Sequence, residues 1–578
     1  MTDTVVESLL DTTTHETLVS LVARGLASQP DRPVFTAVDA EGVVEATLTM
    51  ADLDRKARLV AAALRTHGEA GDRVIVPLLG GVDFQVGFLG CLYAGMVAVP
   101  VPALEGKGSK GKGLARLTSI ITDCAPVAVL VSDAQGAEAA TADLPDVPWV
   151  SVEQPNGAGL EPEQVTPSTV AMLQYTSGST ADARGVVITH RNLVSNQSAM
   201  ADAGRIGPQT TVVTWLPMFH DMGLCTGFVL PVVSGANTVL IQPWSFVRNP
   251  LVWLQQISRY DDVFSAAPNF AYEMCVTRIG ADERAGLDLS GWRLAVNGSE
   301  PVSGATIRRF VETFSGVGFT LGTMRPGYGL AECTLAVAGG GSGEEAPMLG
   351  FRRDSLAQGV AVAEEGPDSV ELVGNGRAFG GMHLLVVDRD TLRPLEDGRV
   401  GEIWVHSPSN GQGYWQRPEV SVELFEARPV GADPDGPTYV RTGDLGFLYE
   451  DNLFITGRTK DLVIIAGTNY YPQDLEAEAT AAHPLFAHMR AGAWQSEVGG
   501  RTGVTVAIEA PDADEETLAK AARAAGIAVA KAVPAPVRVL VLPLFKLPKT
   551  TSGKIRRGEC AARAEAGVLP VRATWAPA

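Results

Sequence analysis

Short apolar runs recur along the chain, bounded by Gly, Pro or Asp and separated by stretches whose apolar residues repeat at helical spacing. Residues 74–79, 97–101 and 127–131 are such runs, and they read as buried strands of a largely parallel sheet. Over residues 49–67, Leu53, Ala57, Val60 and Leu64 form one apolar face, Thr49 and Asp52 have the spacing of a capping pair, and Gly68 stops the pattern. That combination predicts a helix. Further strands are expected at 212–215, 238–241, 263–266 and 293–296, with polar clusters close behind: His220-Asp221, Pro268-Asn269 and Asn297-Gly298-Ser299-Glu300. Open α/β sheets bind ligands beyond the carboxyl ends of their strands, so these clusters are expected to converge on one crevice.

From about residue 370 the texture becomes antiparallel, with strands expected at 383–388 and 402–406 and a hairpin over 447–456 turning at Glu450-Asp451-Asn452. After Gly457-Arg458-Thr459-Lys460-Asp461 the pattern restarts, with a helix after Pro472 and strands near 504–508 and 537–542. The fold class is α/β. A large N-terminal domain over 1–459 is expected to hold parallel-rich sheets and a β-rich subdomain at about 370–457, followed by a small α+β domain over 460–578. A chain of 578 residues exceeds what one core organises, and 46% apolar residues suffice to fill two.

The formal charge of −20 argues against nucleic acid or an anionic membrane as partner, so any anionic substrate must be met by local cations. Cysteines 91, 124, 225, 275, 333 and 560 lack metal-site spacing and suit buried thiols in a reducing compartment. The N-terminus carries no basic-then-apolar signal and no apolar run reaches spanning length, so a cytoplasmic location is expected.

The candidate chemistry begins with Leu173-Gln174-Tyr175-Thr176-Ser177-Gly178-Ser179-Thr180-Ala181-Asp182-Ala183-Arg184-Gly185-Val186-Val187-Ile188-Thr189-His190, a hydroxyl- and glycine-rich loop between apolar runs. Gly178 and Gly185 allow main-chain N–H groups to approach an anion, and the hydroxyls and Arg184 are donors to phosphate oxygens. It is not a Walker loop, since no Gly-Lys-Ser/Thr closes it; a solvated linker is the other reading. Lys107-Gly108-Ser109-Lys110-Gly111-Lys112-Gly113 reads as a basic linker. A second such loop, Leu547-Pro548-Lys549-Thr550-Thr551-Ser552-Gly553-Lys554-Ile555-Arg556-Arg557, sets cations in an acidic chain and reads equally as a site element or a basic turn.

These two loops, with Tyr328-Gly329-Leu330-Ala331-Glu332, Tyr439-Val440-Arg441-Thr442-Gly443-Asp444-Leu445-Gly446 and Gly457-Arg458-Thr459-Lys460-Asp461, resemble the adenylate-forming enzymes in order and spacing over residues 18–557. That superfamily includes acyl-CoA synthetases, luciferase and peptide-synthetase adenylation domains. Within it, Leu173-Gln174-Tyr175-Thr176-Ser177-Gly178-Ser179-Thr180, Trp215-Leu216-Pro217-Met218-Phe219-His220-Asp221-Met222-Gly223-Leu224, Pro268-Asn269-Phe270-Ala271-Tyr272 and Asn469-Tyr470-Tyr471-Pro472-Gln473-Asp474-Leu475-Glu476 resemble the fatty acyl-AMP ligases. Residues 339–375 resemble in position the insertion that marks those ligases and restricts movement of the C-terminal domain; an ordinary surface loop is the alternative.

The resemblance implies ATP and Mg²⁺ as cofactors, a fatty acid as substrate and a holo acyl carrier protein as acyl acceptor. It places Thr176, Ser177, Gly178, Ser179 and Thr180 on the ATP phosphates, Glu332 on Mg²⁺, and Tyr328 and Gly329 at the adenine with Asn297, Gly298, Ser299 and Glu300. Asp444 is implied to bind the ribose and Arg458 the ribose or phosphate. Lys554 is implied to bridge the carboxylate and α-phosphate, His220 to stand beside the reacting carboxylate, and Lys460 to be the hinge. Trp215, Met218, Met222, Phe228 and Phe270 are expected to wall the acyl pocket. Two departures stand out: Ala183-Arg184-Gly185 where acyl-CoA synthetases have Pro-Lys-Gly, and Gly327 where a small hydroxyl residue is usual. An acyl-CoA synthetase, a ligase for a short, unsaturated or aryl acid, and a silent nucleotide-binding scaffold are the rival readings.

Overall fold

The computed structural model describes residues 16–78, 81–103, 112–132, 147–155, 158–175, 184–341, 343–465, 468–550 and 554–577. A nine-stranded sheet holds a parallel row of six strands, in the order Met324–Gly329, Trp292–Gly298, Val263–Pro268, Thr211–Thr214, Asn237–Ile241 and Pro33–Val38. Antiparallel strands close both ends. A six-stranded sheet carries Arg73–Val76, Val97–Pro100 and Ala128–Val131, close to the runs expected from the sequence. These strands are buried on both faces, which is why they read as continuous apolar runs.

Helices pack against these sheets. The helix Met50–Leu64 starts where the sequence expects it: the Thr49 side chain accepts from the Asp52 N–H and the Asp52 carboxylate accepts from the Thr49 N–H. Its Leu53, Ala57, Val60 and Leu64 are buried against Val82–Tyr93, a helix apolar on all sides and therefore buried. On the nine-stranded sheet, Trp253, Tyr272, Trp292 and Phe310 form an edge-to-face aromatic cluster, with Trp253 and Trp292 centroids 5.1 Å apart.

Four antiparallel strands, His383–Val387, Gly401–His406, Val440–Tyr449 and Asn452–Arg458, form the β-rich unit. Its hairpin turns on Glu450 and Asp451, both with positive φ (48° and 60°), as a two-residue turn matched to strand twist requires. The region expected to be an insertion folds as a hairpin, Met348–Arg352 with Ser369–Val373, joined through the short helix Arg353–Ala357. Phe351 anchors it edge-on to Phe447 and Phe454, at 5.0 and 5.3 Å.

The remaining chain has its own core, built from Ala491–Val498, Arg501–Ala510 and Val537–Pro543 beneath the helices Pro472–Ala481 and Glu515–Ala532. It meets the large unit mainly through polar contacts. Arg353 donates to Glu478 at 3.0 Å, His488 Nδ1 stands 3.2 Å from Glu273 Oε1, and the Arg490 guanidinium lies 5.0 Å over the Phe270 ring, while Leu462 and Tyr471 add a small apolar joint with Leu445. Among the described residues no helix is long and apolar enough to cross a membrane.

Candidate active site

The carboxyl ends of the parallel strands open into a cavity of about 540 Å³, lined from the other side by Thr550 and residues 554–557 of the small C-terminal unit. Arg116, Arg184, Arg458, Lys460, Lys554, Arg556 and Arg557 line it, so a chain of net charge −20 concentrates cations here. A polyanion is the ligand such a lining suits.

Strand pairing builds one wall. Asp444 and Arg458 lie opposite each other across the hairpin, and Arg458 Nε donates to Asp444 Oδ1 at 2.6 Å. The Tyr328 hydroxyl, from the last turn of its strand, donates to Asp444 Oδ2 at 2.8 Å. The Asp444 carboxylate raises the Arg458 guanidinium, and burial raises the Tyr328 phenol well above its usual range. Asp444 sits just behind the lining surface, whereas Tyr328, Gly329 and Arg458 are part of it.

Opposite stands Glu332, in the turn Ala331–Cys333. Its Oε1 accepts from the Tyr414 hydroxyl at 2.7 Å, and the Arg184 guanidinium lies 5.5 Å over the Tyr414 ring. Tyr414 carries no motif, so nothing in the sequence singled it out. Its partner is 82 residues away, and only the fold joins them. The phosphate-loop candidates Thr176, Ser177, Gly178, Ser179 and Thr180 lie outside the described residues.

Lys554 enters from the C-terminal unit, its loop held by mutual backbone contacts: the Thr550 N–H donates to the Lys554 carbonyl at 2.8 Å and the Lys554 N–H to Thr550 Oγ1 at 3.0 Å. Burial lowers the ammonium's pKa, with Arg458 adding, against the pull of Asp221, Asp444 and Glu300. His220 lines the cavity and caps the short helix Asp221–Leu224, with Nδ1 2.6 Å from Asp221 Oδ1. Burial opposes ionisation of Asp221, but the His220 charge and hydrogen bond and the Lys554 charge outweigh it and hold the carboxyl below its usual range. Lys460 also lines the cavity, lowered by burial and by Arg458.

Of the Asn297-Gly298-Ser299-Glu300 cluster, Gly298 and Ser299 face the cavity. Ser299 has φ +67°, and a Cβ on Gly298 would stand 2.9 Å from the Gly327 carbonyl, so the turn is tightly fitted. Asn297 and Glu300 hold it from behind. Asn297 Nδ2 donates to Asn269 Oδ1 at 3.3 Å, and Glu300 Oε1 accepts from the Phe270 N–H at 2.7 Å. Burial raises Glu300 above the usual carboxylate range.

The acyl wall differs from expectation. Met222 lines the cavity, but Trp215, Met218, Phe228 and Phe270 do not. Trp215 stacks on Phe246 at 3.9 Å, Phe228 stacks on Phe35 at 5.6 Å, Met218 fills the space beside Gly227, and Phe270 lies under Arg490. Nearness in sequence to the His220 motif did not place them, because each packs into a neighbouring core. The apolar branch is instead floored by alternate strand residues, Phe264 and Ala266 in register with Leu294 and Val296, and roofed by Met200 and Ile206. Period-two spacing on strands already legible in the sequence was the signal that could have found them.

The sequence profile of the AMP-binding enzyme family matches residues 22–415. The medium-chain fatty acid acyl-carrier-protein ligase JamA of Moorena producens is 36% identical over 540 residues, covering 90% of each chain. The long-chain fatty acid AMP ligase FadD26 of Mycobacterium marinum is 36% identical over 577 residues, covering 95% of this chain and 97% of that one. A crystal structure of fatty acyl-adenylate ligase from L. pneumophila, in complex with acyl adenylate and pyrophosphate, aligns with a TM-score of 0.75 at 34% identity, covering 97% of this chain and 98% of that one.

Proposed function

The chain belongs to the AMP-binding enzyme family, and we propose that within it the protein is a fatty acyl-AMP ligase: it joins a fatty acid to AMP from ATP, releases pyrophosphate, and passes the acyl group to the phosphopantetheine thiol of a separate carrier protein. The observation that carries this is one cavity in which Lys554, His220–Asp221 and the Asp444–Arg458 pair stand between a cation-lined side and an apolar branch. An adenylating enzyme needs that combination, since its substrates are a triphosphate and an alkyl carboxylate. JamA, by its name, loads an acyl carrier protein, which supports the choice of acceptor.

The chemistry starts with two anions that must meet. Lys554 bridges the attacking carboxylate and the α-phosphate as charge builds on the phosphoryl oxygens, where a preorganised donor is worth about 3–4 kcal/mol. The low-lying Asp221 carboxylate fixes the His220 ring beside the acid's entry. Asp444 accepts from the ribose hydroxyls, exchanging its Tyr328 contact for them, and Tyr328 and Gly329 flank the adenine. Mg²⁺ fits the donor set, because Glu332 brings a carboxylate to the cavity and Mg²⁺ is commonly held by one or two carboxylates plus substrate phosphates. Glu332 is the carboxylate that would hold it, steadied by Tyr414; bound there, the ion would screen phosphate charge. The insertion-like hairpin, through Arg353–Glu478, favours the docked arrangement in which Lys554 is inside.

The test supplies ATP, Mg²⁺ and a ladder of fatty acids, first with coenzyme A and then with a holo carrier protein, and quantifies pyrophosphate, acyl-AMP and thioester. Acyl-AMP and carrier-bound thioester are expected. Efficient acyl-CoA formation would replace the ligase reading by a synthetase.

A further inference from the structure

The apolar branch of the cavity does not end as a plain hydrocarbon slot. It runs over one face of the nine-stranded sheet, away from the carboxyl ends of the strands, and Arg325 lines it. Arg325 pairs in register with Val296 and precedes Tyr328 by three residues, so it lies about 10 Å back along the strand from the adenine side. Its side chain is 3% exposed. Nε donates to the Gly341 carbonyl at 2.9 Å and Nη1 to the Met324 carbonyl at 2.8 Å, which ties down the turn after Gly339. Nη2 is buried with no hydrogen-bond partner among the described residues. Burial lowers the guanidinium's pKa, Arg293 adds to it, and the Glu344 and Glu345 charges oppose it.

We propose that Arg325 is a specificity-determining residue that binds an oxygen acceptor at the far end of the acyl chain, so that the preferred acid is an alkanoate carrying a terminal hydroxyl, keto or carboxylate oxygen. Two guanidinium nitrogens account for the turn, and the third is the one a substrate oxygen satisfies. A guanidinium stays protonated, so burial cannot remove its charge by neutralisation. A plain methyl terminus seated against it leaves a charged donor both dry and unpaired, whereas a terminal oxygen completes the set. Discrimination by a group built to be hydrogen-bonded exceeds what apolar packing gives for one methylene. The inference rests on the acyl-adenylating reading of the site.

The experiment measures kcat/KM for pyrophosphate release with length-matched n-alkanoic, ω-hydroxyalkanoic and α,ω-dicarboxylic acids over a ladder of lengths, in the wild type and in Arg325→Met and Arg325→Lys. The wild type should favour an oxygenated acid over its plain counterpart roughly ten- to a hundredfold, peaking at the one length that reaches Arg325. That ratio should fall towards one in Arg325→Met and survive in part in Arg325→Lys. A purely structural arginine would lower all acids together and leave the ratio where it was. A wild-type ratio of one at every length, or an unchanged ratio in Arg325→Met, overturns the proposal while acyl adenylation stands. Absence of turnover with every acid in the wild type overturns the site reading and this inference with it. If Arg325→Met does not fold, the wild-type ladder and Arg325→Lys decide alone. The two oxygenated series separate a neutral acceptor from an anionic one.

Discussion

Removing the Lys554 ammonium should separate catalysis from stability, and the structure sets the sign of each. In the docked arrangement the side chain is part-buried beside Arg458, and its pKa is lowered, so folding holds this charge at a cost that Asp221, Asp444 and Glu300 only partly offset. Lys554→Ala therefore relieves a desolvated cation, and the melting temperature should stay level or rise. The same substitution removes the donor assigned to the α-phosphate, worth about 3–4 kcal/mol, so adenylation should fall roughly a hundred- to a thousandfold. Arg is not expected to rescue it, since a planar fork cannot reproduce a point donor in a site already holding Arg458. The assay pairs ATP–pyrophosphate exchange with thermal melting and with carrier loading from supplied acyl-AMP, which should survive. Near wild-type exchange would remove Lys554 from the mechanism, and a fall in melting temperature that tracks the lost activity would make its role structural.

Lys460→Pro fixes φ at the assigned hinge and should let acyl-AMP form while carrier loading drops by at least about tenfold; equal loss of both half-reactions would misplace the hinge. Tyr414→Phe removes the hydroxyl that Glu332 accepts from, and a hydrogen bond to a charged group is worth about 1.5–3 kcal/mol, so the Mg²⁺ titration of adenylation should shift by roughly tenfold or more. An unshifted titration would detach Tyr414 from the metal. Asp474 is pushed up to about 7 by burial, Glu476 and Glu478 adding and Arg353 opposing. The native carboxyl then keeps a proton that the unfolded chain, titrating near 3.9, gives up, so this group's stabilisation is full below about pH 4, is lost progressively as pH rises, and is gone above about 7. Asp474→Asn should gain on the order of 1–3 kcal/mol over the wild type at pH 8, less than half of that at pH 5 and little near pH 3.5, read from denaturant midpoints; a gain independent of pH would refute the assignment.

The elements were legible because parallel strands buried on both faces leave continuous apolar runs, and because Thr49–Asp52 and Glu450–Asp451 spell out a cap and a turn locally. The polar motifs were legible for a related reason: each stands at or near the end of an element whose polarity the topology fixes, so Tyr328, Glu332, His220 and Arg458 fall around one opening. Contacts between distant segments were not legible. Tyr414 meets Glu332, and Asp123 joins the Tyr175 hydroxyl to Arg417, only because two sheets and the β-rich unit close on each other. The acyl wall was misplaced for the same cause. Aromatic residues near a motif were chosen where strand alternation, Phe264 with Ala266 and Leu294 with Val296, decides which side chains face the cavity.

The balance of contacts across the two units explains how one site can serve two half-reactions. Each unit closes its own core, and the joints between them among the described residues include Arg353 with Glu478, His488 with Glu273, Arg490 over Phe270, and a small apolar joint of Leu462 and Tyr471 with Leu445. Arg353 and Glu478 are 31% and 37% exposed, in the range where an ion pair contributes about 0–1 kcal/mol. A handful of such joints would hold the docked arrangement by a few kcal/mol, enough to keep Lys554 in the cavity yet small enough for the docking surface of the proposed carrier protein to reverse. Burying an apolar interface instead would lock Lys554 in place and leave the acyl-AMP sealed behind it. A seam that is polar away from the small Leu445–Leu462–Tyr471 joint suits the second half-reaction, and converting Glu273 or Glu478 to leucine should slow carrier loading more than adenylation.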